Sequence, residues 1–195
     1  MKLWILSDMH ADRGIDDIAV HAPDFDVFVC AGDVLTGDIA GSIEMTAAIA
    51  RGKPAVFVMG NHEWMSSSDR DVVLDKAHAA AKRHRVHFLE CNTVEIDGVR
   101  FAGTTFWTSG DARFPASVEF LLREKVDVVV THFEPSPAAV TAVGAPFWIC
   151  GHHHGFADAT TPDGHRLIRN ALGSALQVMP ADEMPRQDFV VEITR

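Results

Sequence analysis

Five short stretches of the sequence carry side chains of types that can bind metal ions. "SDMH" carries Asp8 and His10, "AGDVL" Asp33, "GNHE" Asn61 and His62, "THFEP" His132, and "GHHH" His152 and His154. Any one of these alone is commonplace, since Gly-Asp or Asp-x-His usually marks a turn or a strand end. The set is what points to chemistry. Asp8, His10, Asp33, Asn61, His132, His152 and His154 make seven donors, whereas a closed structural zinc site takes four. One ion cannot use them all, but two divalent ions can if a carboxylate bridges them. Imidazole, carboxylate and amide donors without thiolate suit manganese, iron, nickel or zinc.

Spacing adds a geometric expectation. In extended chain, residues i and i+2 face one way, so Asp8 and His10 share a target, as do His152 and His154, while His153 points away. Gly151 and Gly155 permit sharp bends around the triplet. Charge then suggests the substrate. Two divalent ions outweigh the carboxylates of Asp8 and Asp33 plus a bridging hydroxide, so the centre attracts an anion although the chain carries a net charge of −10. Ions about 3.5–4 Å apart lower the pKa of a shared water and clamp the oxygens of an in-line displacement at phosphorus. Hydrolysis of a phosphodiester or phosphomonoester by a metal-bridging hydroxide is the expected reaction.

The elements that must position these residues read as α/β. Apolar runs "KLWIL", "DVFVC", "AVFVM", "VHFL", "VRFAG", "VDVVV", "FWIC" and "DFVVEI" are strand candidates. Between them "IAGSIEMTAAIA", "RDVVLDKAHAAAKRH" and "SVEFLLREK" repeat apolar residues at helical spacing. Continuous apolar strands imply burial on both faces by helices and a second layer. Asp97-Gly98 between two short runs predicts a hairpin, hence antiparallel strands among parallel ones. Carboxyl ends of parallel strands share one rim, where the five clusters would converge.

The 195 residues, 47% of them apolar, suffice for one core, and no repeat or linker divides them, so one domain over 1–195 is expected. Cys30, Cys91 and Cys150 are odd in number and lie in apolar runs, which argues against a disulfide framework. The apolar run before Asp8 is too short for a signal peptide or a membrane span, so a cytoplasmic protein without membrane contact is expected. No Lys/Arg-rich run offers a nucleic-acid footprint. Nor does the sequence advertise a protein partner.

In this order the five blocks resemble the signature blocks of the calcineurin-like metallophosphoesterase superfamily, from Ser7 to His154, and "LIRNALGS" resembles the strand and Asn-x-x-Gly turn that often follow. The resemblance implies a four-layer αββα sandwich of two mixed sheets with a dinuclear site at the strand ends. It also implies Asp8, His10 and His154 on one metal, Asn61, His132 and His152 on the other, and Asp33 bridging. His62 matches the leaving-group acid or transition-state stabiliser, a role that a free imidazole near neutral pH suits. Adjacency suggests that Glu63 orients His62 by a hydrogen bond.

Asp33 is followed by "VLTGD" and not by the longer block of the phosphoprotein phosphatase branch, which disfavours a protein Ser/Thr phosphatase. Phe133 and His153 replace commoner residues at the rim without replacing a ligand. A small phosphorylated substrate is expected, in a cleft without an obvious cap. Candidate specificity segments are "ADRGIDD", "WMSSSDR" and "TTFWTSGDARF", where Arg13, Arg70 or Arg113 would hold a second phosphate or a carboxylate. Trp64, Trp107 or Phe133 would stack on a base or sugar. The alternatives are a nucleotide pyrophosphohydrolase and, from another class, a protein-binding scaffold on the same fold.

Overall fold

Burial on both faces of the first strand sets the architecture. In β1 (Lys2–Leu6), Leu3 and Ile5 face one side and Trp4 and Leu6 the other, and all four are inaccessible to solvent. A strand buried on both faces needs a layer on each. The computed structural model describes residues 1–13, 22–173 and 179–194. Within them β1 pairs in parallel with β2 (Val27–Cys30), β2 with β3 (Ala55–Phe57) and β3 with β4 (His87–Phe88). The last strand, β11 (Val190–Glu192), closes this five-stranded sheet antiparallel to β1.

The second sheet has six strands, in the order β5 (Asn92–Ile96), β6 (Val99–Thr104), β7 (Val128–Thr131), β8 (Phe147–Cys150), β10 (Arg166–Ala171) and β9 (Gly155–Thr160). Leu3, Ile5, Val29 and Val56 of the first sheet pack on Phe101, Val128, Val130 and Ile149 of the second, forming the central core. The opposite face of the first sheet, with Trp4, Phe28 and Phe57, is covered by Ile43 of α1 (Ile39–Ala50) and by Val73 and Ala77 of α2 (Arg70–His84). Val129 and Trp148 on the far side of the second sheet meet Leu121 of α3 (Phe114–Arg123) and Val140 of α4 (Pro137–Val143). The expected four-layer αββα sandwich of two mixed sheets is what the chain forms.

The Asp97-Gly98 hairpin is present. Ile96 pairs with Val99, and both turn residues have positive φ, at 46° and 79°, as a two-residue turn matching strand twist requires. α1 and α2 keep the expected limits, capped by Asp38 and Asp69 through backbone N–H groups of their first turns. α3 starts earlier than Ser117, with a proline in its first turn, and ends at Arg123. α4 and β9 fall outside the expectation. α4 is seven residues long, too short to display a helical repeat, and its start is set by Ser136, whose Oγ accepts the Ala139 N–H. β9 is an edge strand whose exposed Asp158 pairs with Arg166 where an apolar alternation would have signalled it.

The two sheets meet at their carboxyl ends. Ser7 forms a parallel bridge with Ala171, donating its N–H to the Asn170 carbonyl (3.1 Å) and accepting the Leu172 N–H (2.9 Å). Since β10 is parallel to β8 and β8 to β7, the ends of β1, β2, β3, β7 and β8 face one rim. No described helix is long and apolar enough to cross a membrane.

Candidate metal centre

Every candidate donor lies in the turn just beyond one of those five strands. The turns are tight, and Asp8, His10, Asp33 and His152 all adopt positive φ (52°, 41°, 56° and 66°). Such backbone costs about 1–3 kcal/mol per residue and persists where surrounding contacts over-determine it. The extended-chain alternation expected for "DMH" and "HHH" is therefore not the mechanism. His152 is turned by its left-handed backbone, with its N–H on the Asp8 carboxylate (3.0 Å to Oδ2), and the His153 N–H closes back on the Gly151 carbonyl (2.8 Å). His152 and His154 still face the rim's interior, and His153 is exposed.

Asp8, His10 and His154 bring ligand atoms within 4.8 Å of one another, and so do Asp33, His132 and His152. A third such set, His10, Asp33 and His62, places Asp33 between the other two. Asn61 joins the second set, its Oδ1 lying 3.0 Å from His132 Nε2 and 3.1 Å from His152 Nδ1. Close backbone approach makes this packing possible. A Cβ on Gly60 would fall 2.0 Å from Asp33 Oδ1 and 2.7 Å from His132 Cε1, and one on Gly151 would fall 2.5 Å from Asp8 Oδ2.

The chemistry of the donors fits a cation. His132 is buried, and burial holds its imidazole in the neutral form, its pKa lowered. Its Nδ1 lies 2.8 Å from the Ala31 carbonyl, an acceptor, so Nδ1 carries the proton and Nε2 presents a lone pair. That lone pair faces Asn61 Oδ1 and, at 3.4 Å, Asp33 Oδ2. Three electron-rich atoms turned toward one another are what a metal ion satisfies. Desolvation, then the neighbouring His132 and His153, lower His152 to about 4, so it too is neutral and able to donate. Asp8 is shifted the other way, its pKa raised by burial and by the Asp33 carboxylate, despite the Ser7 hydroxyl 2.5 Å from Oδ2.

Glu63 does not orient His62. Its buried carboxylate accepts the backbone N–H groups of Asp33 (2.9 Å), Val34 (2.7 Å), Leu35 (3.3 Å) and Gly60 (2.8 Å), and the Ser42 hydroxyl (2.9 Å). It clamps the Asp33 turn to the Gly60–Asn61 turn, and burial and the Asp33 charge push its pKa up to about 7. His62 is oriented by Thr36, whose Oγ1 lies 2.9 Å from Nδ1, and by its own N–H, which donates to Asp33 Oδ1 (2.9 Å). Its Nε2 faces Asp33 Oδ2 at 3.8 Å. Nothing in the sequence around Thr36, a residue in a loop, marks this partnership.

The specificity candidates divide. Trp64 is buried, its indole N–H donated to Thr105 Oγ1 (2.8 Å), so it is a packing residue. Arg113 is held by both Asp111 carboxylate oxygens (2.8 and 2.6 Å) and lies over the Trp107 ring, 3.3 Å from its centroid. Arg70 is exposed at the start of α2. The Arg13 side chain and residues 14–17 of "ADRGIDD" lie outside the described part, as does Ser174 of "LIRNALGS". Trp107 and Phe133 do stand beside the centre, the Phe133 ring 4.2 Å from that of His152.

A model of the calcineurin-like phosphoesterase family matches residues 1–156, and the chain belongs to that family. Among solved structures, phosphopantetheinyl hydrolase from Mycobacterium tuberculosis is similar, with a TM-score of 0.62 and 16% identity over 89% of this chain and 89% of that one. A dimetal phosphatase from Danio rerio is similar with a TM-score of 0.54 and 12% identity, over 89% of this chain and 87% of the other. At such identities the likeness concerns the fold. No curated protein matches the sequence.

Proposed function

We propose that the chain hydrolyses a phosphodiester or phosphomonoester at a pair of divalent ions. Asp8, His10 and His154 hold one, Asn61, His132 and His152 hold the other, and Asp33 lies between them. The observation that carries this reading is the facing of His132 Nε2, Asn61 Oδ1 and Asp33 Oδ2, acceptors with no proton to share. Bound ions of this class supply an activated water and neutralise the phosphoryl oxygens.

The chain's own groups orient the substrate and move a proton. His62, braced at Nδ1 by Thr36, directs Nε2 toward the centre and protonates the departing oxygen. Glu63 keeps Asp33 and Asn61 at fixed separation by tying their turns together. The Phe133 ring packs against His152 and limits water on that side.

Metal analysis and turnover test the reading together. With manganese supplied, two equivalents of metal are expected, along with hydrolysis of bis(p-nitrophenyl) phosphate or p-nitrophenyl phosphate; the ratio between them assigns diester or monoester preference. Asn61→Ala should lose metal, and His62→Ala should keep metal while turnover falls about 10²–10⁴-fold. Unchanged turnover in both variants overturns the mechanism, and a protein that takes up no metal is better read as a scaffold.

A further inference from the structure

A cavity of about 480 Å³ opens directly beside the second set of donors. Its walls include Phe106, Trp107, Phe114 and Phe133, with His152 at the end nearest the centre. The rings brace one another, with centroids 5.3 Å apart for Phe106 and Phe114 and 5.4 Å apart for Trp107 and Phe133. Arg113, locked by Asp111, backs the Trp107 indole, so that wall is preorganised. Because His152 belongs both to the donor set and to the cavity wall, the aromatic space adjoins the place where a phosphoryl group at the centre would lie.

The charge of the walls narrows the occupant. No lysine or arginine among the described residues lines the cavity. Glu134 is the one charged carboxylate there, and it is already paired with Arg169 at 2.6 Å. A second phosphate or a carboxylate entering this space would leave water without a cationic partner, which is costly. A planar, uncharged ring would instead exchange water for aromatic faces and edges. The volume lies within the range of pockets for small organic ligands.

We infer that this cavity is the subsite for an uncharged, ring-bearing substituent of the phosphoester substrate. The inference rests on the phosphoesterase reading above, and it disfavours a polyphosphate chain as the group lodged beside His152.

Calorimetry on the manganese-loaded protein separates the two claims, with methylphosphonate, phenylphosphonate and 4-carboxyphenylphosphonate as probes. All three carry the same head group. Phenylphosphonate should bind at least about tenfold tighter than methylphosphonate, as burial of one ring allows, and the ring carboxylate should remove that gain. Trp107→Ala should bring the phenyl-to-methyl ratio close to one with methylphosphonate affinity retained. Ala139→Leu, which fills the cavity from α4 without removing an aromatic wall, should do the same. Equal binding of the phenyl and methyl compounds to the wild type overturns the subsite and leaves the phosphoesterase reading standing. A gain that survives both variants, or tighter binding of the carboxylated ring, also overturns it. Failure of every phosphonate to bind overturns both.

Discussion

The Glu63 carboxylate accepts the Asp33 backbone N–H at 2.9 Å, and its remaining donors are the N–H groups of Val34, Leu35 and Gly60 and the Ser42 hydroxyl. One buried side chain thus holds the loop after β2 against the loop after β3. Glu63→Gln places an NH₂ where a backbone donor needs an acceptor, so about 2–3 kcal/mol should be lost. Thermal denaturation should show a melting temperature lower by roughly 5–10 °C. Metal affinity should weaken with it, and the pH dependence of turnover should keep its shape, because His62 takes its orientation from Thr36. A displaced pH profile would restore Glu63 as the partner of His62.

Metal uptake should release protons, and Asp8 should be their source. Its carboxyl holds a proton above the ordinary carboxylate range because of burial and the Asp33 charge, and binding a cation requires the ionised form. His152, lowered to about 4, is already neutral in mildly acidic solution and has nothing to release, and burial shifts His132 in the same direction. Apparent affinity should therefore rise with pH across the mildly acidic range. Titration calorimetry in buffers of different ionisation enthalpy reads the proton count, and proton uptake on binding would refute the assignment.

Stability of the metal-free protein has the signs that go with these shifts. The raised Asp8 contributes stability below the normal carboxylate range that is lost as pH rises through its folded pKa. The lowered His152 contributes stability above pH 6.5 that is lost as pH falls toward about 4. Denaturant titrations of metal-free protein should show His152→Gln flattening the acid side of the profile alone.

The three consecutive histidines should separate by metal content. His152→Ala and His154→Ala each remove a donor from one of the two sets, and elemental analysis should find a substoichiometric protein in both. His153→Ala should retain the wild-type metal content, since its side chain is exposed. Equal metal loss at all three positions would contradict the geometry of the turn.

Gly60→Ala isolates the close approach of backbone to ligand. The added Cβ would sit 2.0 Å from Asp33 Oδ1 and 2.7 Å from His132 Cε1, both of them side-chain atoms of candidate donors. The carboxylate must move, so metal affinity should fall at least about tenfold while far-ultraviolet circular dichroism stays that of the folded chain. Wild-type affinity in this variant would mean that Asp33 is not held where the donors converge.

What the sequence reveals of this centre is its parts list. Apolar runs ending in Asp8, Asp33, His132 and His152 expose the strands and their polar ends together, because a strand buried on both faces leaves polar groups only beyond its ends. What it conceals is backbone. Left-handed conformations at Asp8, His10, Asp33 and His152 are set by contacts between turns distant in the chain, such as the His152 N–H on Asp8, and nothing local announces them. Glu63 misleads for the same reason. Three of its partners are the main-chain amides of Asp33, Val34 and Leu35, about thirty residues away, whereas its sequence neighbour His62 finds a hydroxyl on the other loop. The aromatic cavity likewise draws Trp107, Phe133 and His152 from three separate loops.

The Ser7–Ala171 bridge ties the carboxyl edges of the two sheets, and the donors divide across that seam. The first sheet brings Asp8, His10, Asp33 and Asn61, and the second brings His132, His152 and His154. Neither of the two sets proposed to hold an ion is complete within one half of the sandwich. On the assignment proposed above, neither set is complete until the chain beyond β8 has docked on the first sheet, so a chelated ion would report that both halves have been made and joined. Capture of the metal would be the molecule's own proof of completed assembly.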